Sequence, residues 1–282
     1  MSKDHTQENF PVASRLIAAR HRPLVLAFYR FARAADDIAD DPELAPDAKL
    51  AGLAALEAGL DGDGATVAQA LAAALAARGL SDIHARDLLV AFRRDVTQHR
   101  YADWADLLDY CRWSAMPVGR FVLDVHSEDA ALWPASDALC AALQVINHLQ
   151  DCRKDFAALG RVYLPADALA ANGIDADALG AAVPSLALAA TVRDLAARVD
   201  PLLATAAPFA ATIRSIGLAL EVAVIHRLAV DLVTRLKRDP LAPSRHHNKV
   251  DALRLATGAA GAMALKRFGL WATGPFARSN PA

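Results

Sequence analysis

The sequence predicts an all-α protein, and three observations carry that expectation. Hydrophobic residues make up 55% of the 282-residue chain. Alanine, the best helix former, dominates that fraction. No segment sustains the alternation of Val, Ile, Thr or Tyr that marks a half-buried strand. Proline, glycine and capping residues instead divide the apolar sequence into stretches of helical length.

Residues 11–40 form the first such stretch. Pro23 marks a new helix start within it, because proline fits the first turn of a helix, and 24–39 runs on from there. Pro42 and Pro46 end that helix, and a second covers about 47–60. Asp61-Gly62-Asp63-Gly64 turns the chain, and 65–78 resumes helix until Gly79 stops it. Ser81 reads as the N-cap of a helix over 82–99. Residues 103–126 read as helix, kinked or broken where Pro117 and Gly119 fall inside it. Ser136 or Asp137 is expected to cap a helix through about Phe156. Gly160-Arg161-Val162-Tyr163-Leu164-Pro165 is a short non-helical link. Helices are expected at about 184–203, 206–237 and 249–265, with a loosely ordered tail over 268–282. No Gly-, Pro- or Ser-rich linker and no repeat of fixed period divides the chain, so 1–282 reads as one domain.

Charge and cysteine usage bound the function. With 30 basic and 32 acidic residues the net charge is −2, which gives no reason to expect a nucleic-acid partner. Cys111, Cys140 and Cys152 are odd in number and have no metal-binding spacing. That favours reduced thiols and a cytoplasmic protein. The polar segment 1–8 is no signal peptide, and no stretch reaches the roughly 18 uncharged apolar residues of a membrane span. Peripheral membrane contact stays open.

Two acidic clusters stand out against the apolar helices. They are Asp36-Asp37-Ile38-Ala39-Asp40 and Asn147-His148-Leu149-Gln150-Asp151-Cys152-Arg153-Lys154-Asp155. Residues four apart share a helix face with a rise of about 6 Å. Asp36 and Asp40 therefore point one way, with Arg33 and Tyr29 on the same stripe at i−3 and i−7 from Asp36. Gln144, Asn147, Asp151 and Asp155 likewise share a stripe. A soluble protein seldom embeds so many oxygen ligands in apolar helices without a cation to neutralise them. Hard oxygens suit Mg²⁺, which commonly combines a few carboxylates with substrate phosphates. If the stripes face each other, they form a polar rim on an apolar bundle core. Mg²⁺ there would bind a diphosphate, Arg33 would add a charge-assisted contact, and an apolar cavity below would hold a hydrocarbon away from water.

These motifs resemble the squalene/phytoene synthase family. Phe28-Tyr29-Arg30-Phe31-Ala32-Arg33 before the first cluster, then the second cluster, then Gly160 to Pro165, follow the family's order across roughly residues 9–170. The resemblance implies an all-α isoprenoid synthase-type bundle with a central apolar cavity, using several Mg²⁺ ions and a prenyl diphosphate. It carries metal binding onto Asp36, Asp40, Asn147, Asp151 and Asp155. It carries substrate contacts onto Tyr29, Arg33 and Gln144, and also onto Trp113, Arg161 and Tyr163. The segments Glu8-Asn9-Phe10-Pro11-Val12-Ala13-Ser14-Arg15 and Tyr110-Cys111-Arg112-Trp113-Ser114-Ala115-Met116-Pro117-Val118-Gly119-Arg120 resemble the hydroxysqualene synthase branch of hopanoid biosynthesis. Members of that branch take presqualene diphosphate, expel diphosphate and add water to the cation. Condensing members carry Tyr followed by Val-Ala-Gly-x-Val-Gly where this chain has Trp113 followed by Ser114-Ala115-Met116-Pro117-Val118-Gly119. The resemblance implies no NADPH. Two further readings stand beside it: head-to-head condensation of farnesyl diphosphate, and a non-catalytic assembly factor of the same superfamily.

Plainer readings apply to single residues. Tyr29, Trp113 and Tyr163 each fit a core aromatic, Cys152 fits packing, and Asp37 and Asp41 fit solvated positions. His226 fits a satisfied, partly buried histidine, with orientation of the quenching water as the sharper alternative. His246-His247 fits a polar loop, with closure over diphosphate as its alternative. Arg93-Arg94 and His99-Arg100 read as surface charge.

Overall fold

The computed structural model describes residues 17–242 and Gly258. Helices run α1 Arg22–Asp40, α2 Pro46–Leu60, α3 Thr66–Ala76, α4 Ile83–Thr97, α5 Trp104–Ser114, α6 Met116–Val125 and α7 Trp133–Leu159. They continue as α8 Ala166–Ala171, α9 Leu186–Arg198, α10 Asp200–Ala206, α11 Phe209–Thr212 and α12 Ile216–Arg238. The described residues form no strand; Arg100 and Val162 make one isolated bridge. The all-α expectation is met. No described helix is long and apolar enough to cross a membrane.

Local chemistry sets most of the boundaries. Pro23, Pro46, Pro117, Pro134 and Pro201 each sit in the first turn of a helix, where a missing N–H costs nothing. Gly79 (φ 64°) follows α3, and Gly160 (φ 65°) ends α7 in the left-handed conformation that glycine adopts without a Cβ clash. Asp103 and Ser185 cap α5 and α9 by accepting from Asp106 N–H and Leu188 N–H.

Several boundaries differ from expectation. Ser136 and Asp137 do not cap α7, which starts earlier, at Trp133 with Pro134 in its first turn. Ser136 is buried, and Asp137 accepts two bonds from Arg120 at 2.9 and 2.6 Å. The break within 103–126 falls at Ala115 (φ −124°, ψ −45°), just ahead of Pro117. Ser81 Oγ accepts from Ile83 N–H at 3.1 Å, but α4 itself starts at Ile83. Pro201 separates α9 from α10, and an extended Ile213 separates α11 from α12. The short α8 and a 3-10 turn over Ala176–Gly180 occupy a stretch for which the sequence reading placed no element. The segment 8–15, His246-His247, the tail from Phe268 and, apart from helical Gly258, the helix at 249–265 lie outside the described residues.

Two apolar clusters form the interior. One joins α1 to α4 with part of α6, and the other joins α5 to α12. Val122 packs against both, and the Phe28 and Phe121 rings stack across α1 and α6 with centroids 3.9 Å apart. Each fully buried Leu or Ile, such as Leu53 or Ile146, contributes roughly 1.5–3 kcal/mol. α7 is the axis of the larger cluster, with 27 residues spanning roughly 40 Å. It packs on α5, α6, α9, α10 and α12.

Candidate active site

The C-terminal halves of α1 and α7 face a common polar cavity of about 270 Å³. Of the residues singled out in the sequence, Asp36, Asp40, Gln144, Asp155, Arg161 and Tyr163 line it. α1 supplies the first two, α7 the next two, and the 160–165 link the last two. That link is held by backbone bonds: Val162 N–H donates to His99 C=O at 2.9 Å, and Ala166 N–H to Tyr101 C=O at 2.9 Å. Arg100, read as surface charge, donates to Gly160 C=O at 2.6 Å and secures the same crossing.

Arg161 is buried beside the first acidic helix. It donates to Asp40 Oδ1 at 2.5 Å, to Ala39 C=O at 3.2 Å and to Asp95 C=O at 3.1 Å. Arg33 grips Asp36 at 2.8 Å and Asp37 at 2.8 Å. Asp37, exposed as expected, is therefore ion-paired rather than simply solvated.

The remaining candidates lie around the cavity rather than on its wall. Tyr29 and Asn147 are half-buried on α1 and α7. Asp151 lies 3.8 Å from Lys154, and its charge reaches Asp155. Trp113 packs against the larger core, with the Arg112 guanidinium 5.1 Å from its ring centre.

Reading along helix faces missed three buried groups on the wall. Asp95 of α4 accepts from the Tyr110 hydroxyl at 2.8 Å and from the Tyr163 hydroxyl at 3.1 Å. His148 stacks on Tyr163 with centroids 3.7 Å apart. Tyr110 is buried beside this stacked pair, 5.5 Å from Tyr163 and 5.9 Å from His148. A signal did exist. Asp95 lies four and seven residues after Ala91 and Leu88, on the apolar face of α4, where a carboxylate needs partners.

Electrostatics indicate the kind of group the cavity suits. Burial, then the neighbouring Asp40, push Asp36 up to about 6, despite Arg33. Burial and Asp151 push Asp155 up to about 6. Burial raises Asp95 to about 6, against the pull of Arg161 and the two tyrosine hydroxyls. Burial, then Arg161, lowers His148 to about 3. Crowded, partly buried carboxylates favour a bound cation. Among the described residues no three His, Cys, Asp or Glu side chains gather into a group that could hold a metal ion unaided. The charge of Asp40 acts on Asp36, and that of Asp151 on Asp155. That fits Mg²⁺, which takes one or two carboxylates per ion and completes its shell with water and phosphate oxygens.

An apolar cavity of about 260 Å³ lies on the preceding part of α7. Leu139, Leu143, Val122, Phe209, Leu218 and Ile225 supply its apolar wall, interrupted by Ser136, Cys140 and Glu221. Cys152 is buried as packing, and His226 Nε2 bonds to Leu203 C=O at 2.9 Å, the satisfied histidine expected.

Comparison with known proteins matches this arrangement to one family. The squalene/phytoene synthase family model matches residues 3–254. A hydroxysqualene synthase of Sinorhizobium fredii is 53% identical over 266 residues, 93% of this chain and 91% of its own. A hydroxysqualene synthase of Rhodopseudomonas palustris is 50% identical, over 94% and 92% respectively. The crystal structure of a squalene synthase from Alicyclobacillus acidocaldarius superposes with a TM-score of 0.71 at 30% identity, over 80% of this chain and 87% of that one.

Proposed function

Since this chain belongs to the squalene/phytoene synthase family of isoprenoid-synthesising enzymes, we propose that it converts presqualene diphosphate and water to hydroxysqualene and diphosphate. One observation carries the reading: α7 lines both a carboxylate-rich polar cavity and an apolar one, places for the two halves of a prenyl diphosphate. The addition of water is taken from the names of the relatives at 53% and 50% identity.

Asp36, Asp40, Asp151 and Asp155, with the Asn147 amide, would hold Mg²⁺, which when bound supplies positive charge against the leaving diphosphate. Around that centre the chain's own groups act as follows. Arg161, fixed by Asp40 and two carbonyls, keeps a permanent positive charge on the cavity wall. Gln144 offers an amide to the same space. Tyr110 and Tyr163 direct their hydroxyls onto Asp95, which fixes both rings. The apolar wall of α6, α7 and α12 sequesters the hydrocarbon and shields a cation from bulk water. No nicotinamide cofactor is invoked.

A second reading, head-to-head condensation of farnesyl diphosphate, draws on the likeness to the squalene synthase structure. The test incubates pure protein and Mg²⁺ with each diphosphate side by side, with products read by mass spectrometry. Hydroxysqualene from presqualene diphosphate, with farnesyl diphosphate unconsumed, is expected. Absence of hydroxysqualene rejects the reading. Presqualene diphosphate or a hydrocarbon from farnesyl diphosphate alone supports the second.

A further inference from the structure

We infer that the uncharged tip over residues 181–186, between the 3-10 turn and α9, inserts into the surface of a lipid bilayer and holds the protein there. Val183 is 80% exposed and Leu186 is 90% exposed, the two most exposed large apolar side chains among the described residues. Ala182 and Ser185 beside them are exposed as well. No charged residue occurs between Asp177 and Arg193. A single exposed leucine is ordinary on a protein surface, but two such side chains on one uncharged run mark a contact. The exposure is built into the fold. Arg153 of α7 donates from Nε to Leu179 C=O at 3.1 Å and from Nη2 to Ala181 C=O. A Cβ on Gly180 would lie 2.9 Å from the Phe156 ring, so the turn below the tip rests directly on α7. Pro184 fixes its own φ, and Ser185 Oγ accepts from Leu188 N–H at 3.0 Å to open α9. Leu188 is already buried in the larger core. With both ends tied, the tip keeps Val183 and Leu186 turned outward.

The occupant is a bilayer rather than a protein. A tip of two large side chains and an alanine offers roughly a few hundred Å², whereas a stable protein interface takes about 800 Å² from each partner. Entry into hydrocarbon requires no matching surface. Each side chain of this size favours hydrocarbon over water by roughly tenfold or more. The run has no charge to desolvate, and the carbonyls of Leu179 and Ala181 at its base are already bonded. No described helix is long and apolar enough to cross a membrane, so the contact is with the surface, and anchoring by so few groups is reversible. The tip stands at the end of α7 that carries Asp151 and Asp155, because Arg153 lies between them. The functional reading above enters only as the purpose of the contact: its substrate and product are long hydrocarbons that reside in lipid.

The experiment mixes the full-length protein with phosphatidylcholine vesicles in the presence of a chelator and without substrate, and reads the bound fraction by flotation. Binding that persists from about 0.1 M to about 1 M salt is expected, since the anchor is apolar. Val183→Asp combined with Leu186→Asp is expected to lower the partition coefficient tenfold or more. Ile216→Asp, at a residue 65% exposed at the start of α12, is expected to leave it nearly unchanged. Absence of wild-type binding, a smaller loss in the tip variant, or an equal loss in Ile216→Asp overturns the inference. Hydrogen exchange on the wild-type protein gives a second reading that does not depend on a variant folding. Vesicles are expected to slow exchange in peptides covering 181–190, and no slowing there overturns the inference. Dimerisation without vesicles that Leu186→Asp abolishes assigns the tip to a second copy and overturns it too. Failure of the wild-type protein to release diphosphate from presqualene diphosphate with Mg²⁺ rejects the functional reading and leaves the vesicle result standing, so the two failures are distinguishable.

Discussion

Replacing Arg161 by Met keeps the length and most of the volume of a buried side chain while removing all its donors. Arg161 is 6% exposed and donates at 3.1 Å to Asp95 C=O, at 3.2 Å to Ala39 C=O and at 2.5 Å to Asp40. Each buried carbonyl left without a donor costs about 1–3 kcal/mol. Breaking a fully buried ion pair costs about 3–5 kcal/mol. The Asp40 side chain, however, is 34% exposed and can recover water from the cavity, so this pair contributes only about 1 kcal/mol. With the two carbonyls at about 1 kcal/mol each, the total is near 3 kcal/mol, which in a chain of this size lowers the melting temperature by roughly 6–12 °C. Calorimetry at pH 7.5 with a chelator measures it. Asp40→Asn alone and with Arg161→Met closes a double-mutant cycle, with an expected coupling of about 1–2 kcal/mol. A melting temperature within about 2 °C of wild type, or additive effects in the double variant, would refute the assigned role of Arg161.

Further outcomes follow from the same geometry. Asp155→Ala removes a buried charge that faces Asp151 and Asp40. It is expected to melt no lower than wild type while diphosphate release falls roughly 100-fold or more; release close to wild type would contradict its metal-binding role. Asp36, Asp95 and Asp155 titrate near 6 in the folded protein, above the ordinary carboxylate range. The folded chain therefore binds more protons than the unfolded chain between about pH 4 and 6, so these groups add stability as pH falls through that window. Asp95→Asn should flatten the rise in chelator-treated melting temperature from pH 7 to pH 5, and an unaltered profile would show that Asp95 does not carry it. At Gly119 a Cβ would lie 2.4 Å from Ser136 Oγ and 2.6 Å from Cys140 Sγ. Gly119→Ala is accordingly expected to cost about 1–3 kcal/mol in urea unfolding, and an unchanged midpoint would refute so close an approach of α6 and α7.

Information local in sequence was legible before any coordinates. Pro23, Pro46, Gly79 and Gly160 act through their own backbone, so the helices they bound appear near their expected places. The i, i+4 stripes placed Asp36 with Asp40 and Gln144 with Asp155, and those residues share one cavity. The apolar setting of Asp95 was legible, but its place beside the site, like that of Tyr110, was not, because only the packing of α4 and α5 carries them to α1 and α7. His148 sat inside a quoted motif. Its part depends on a stack with Tyr163, fifteen positions later and past the end of the helix, which no helical period reports. Start signals also competed: Ser136 and Asp137 resemble caps, yet Pro134 opens α7 and leaves both for contacts with α6.

The unbroken length of α7 restricts how the protein can change over time. Residues 136–143 of this rod border the apolar cavity and 144–155 the polar one, with no loop between them. An inserted or deleted residue at the junction would turn one wall against the other by about 100° and shift it by about 1.5 Å. Variation in this helix is thus confined to exchange of side chains at fixed length, whereas the connection between α8 and α9, which lines neither cavity, can gain or lose residues without disturbing either wall.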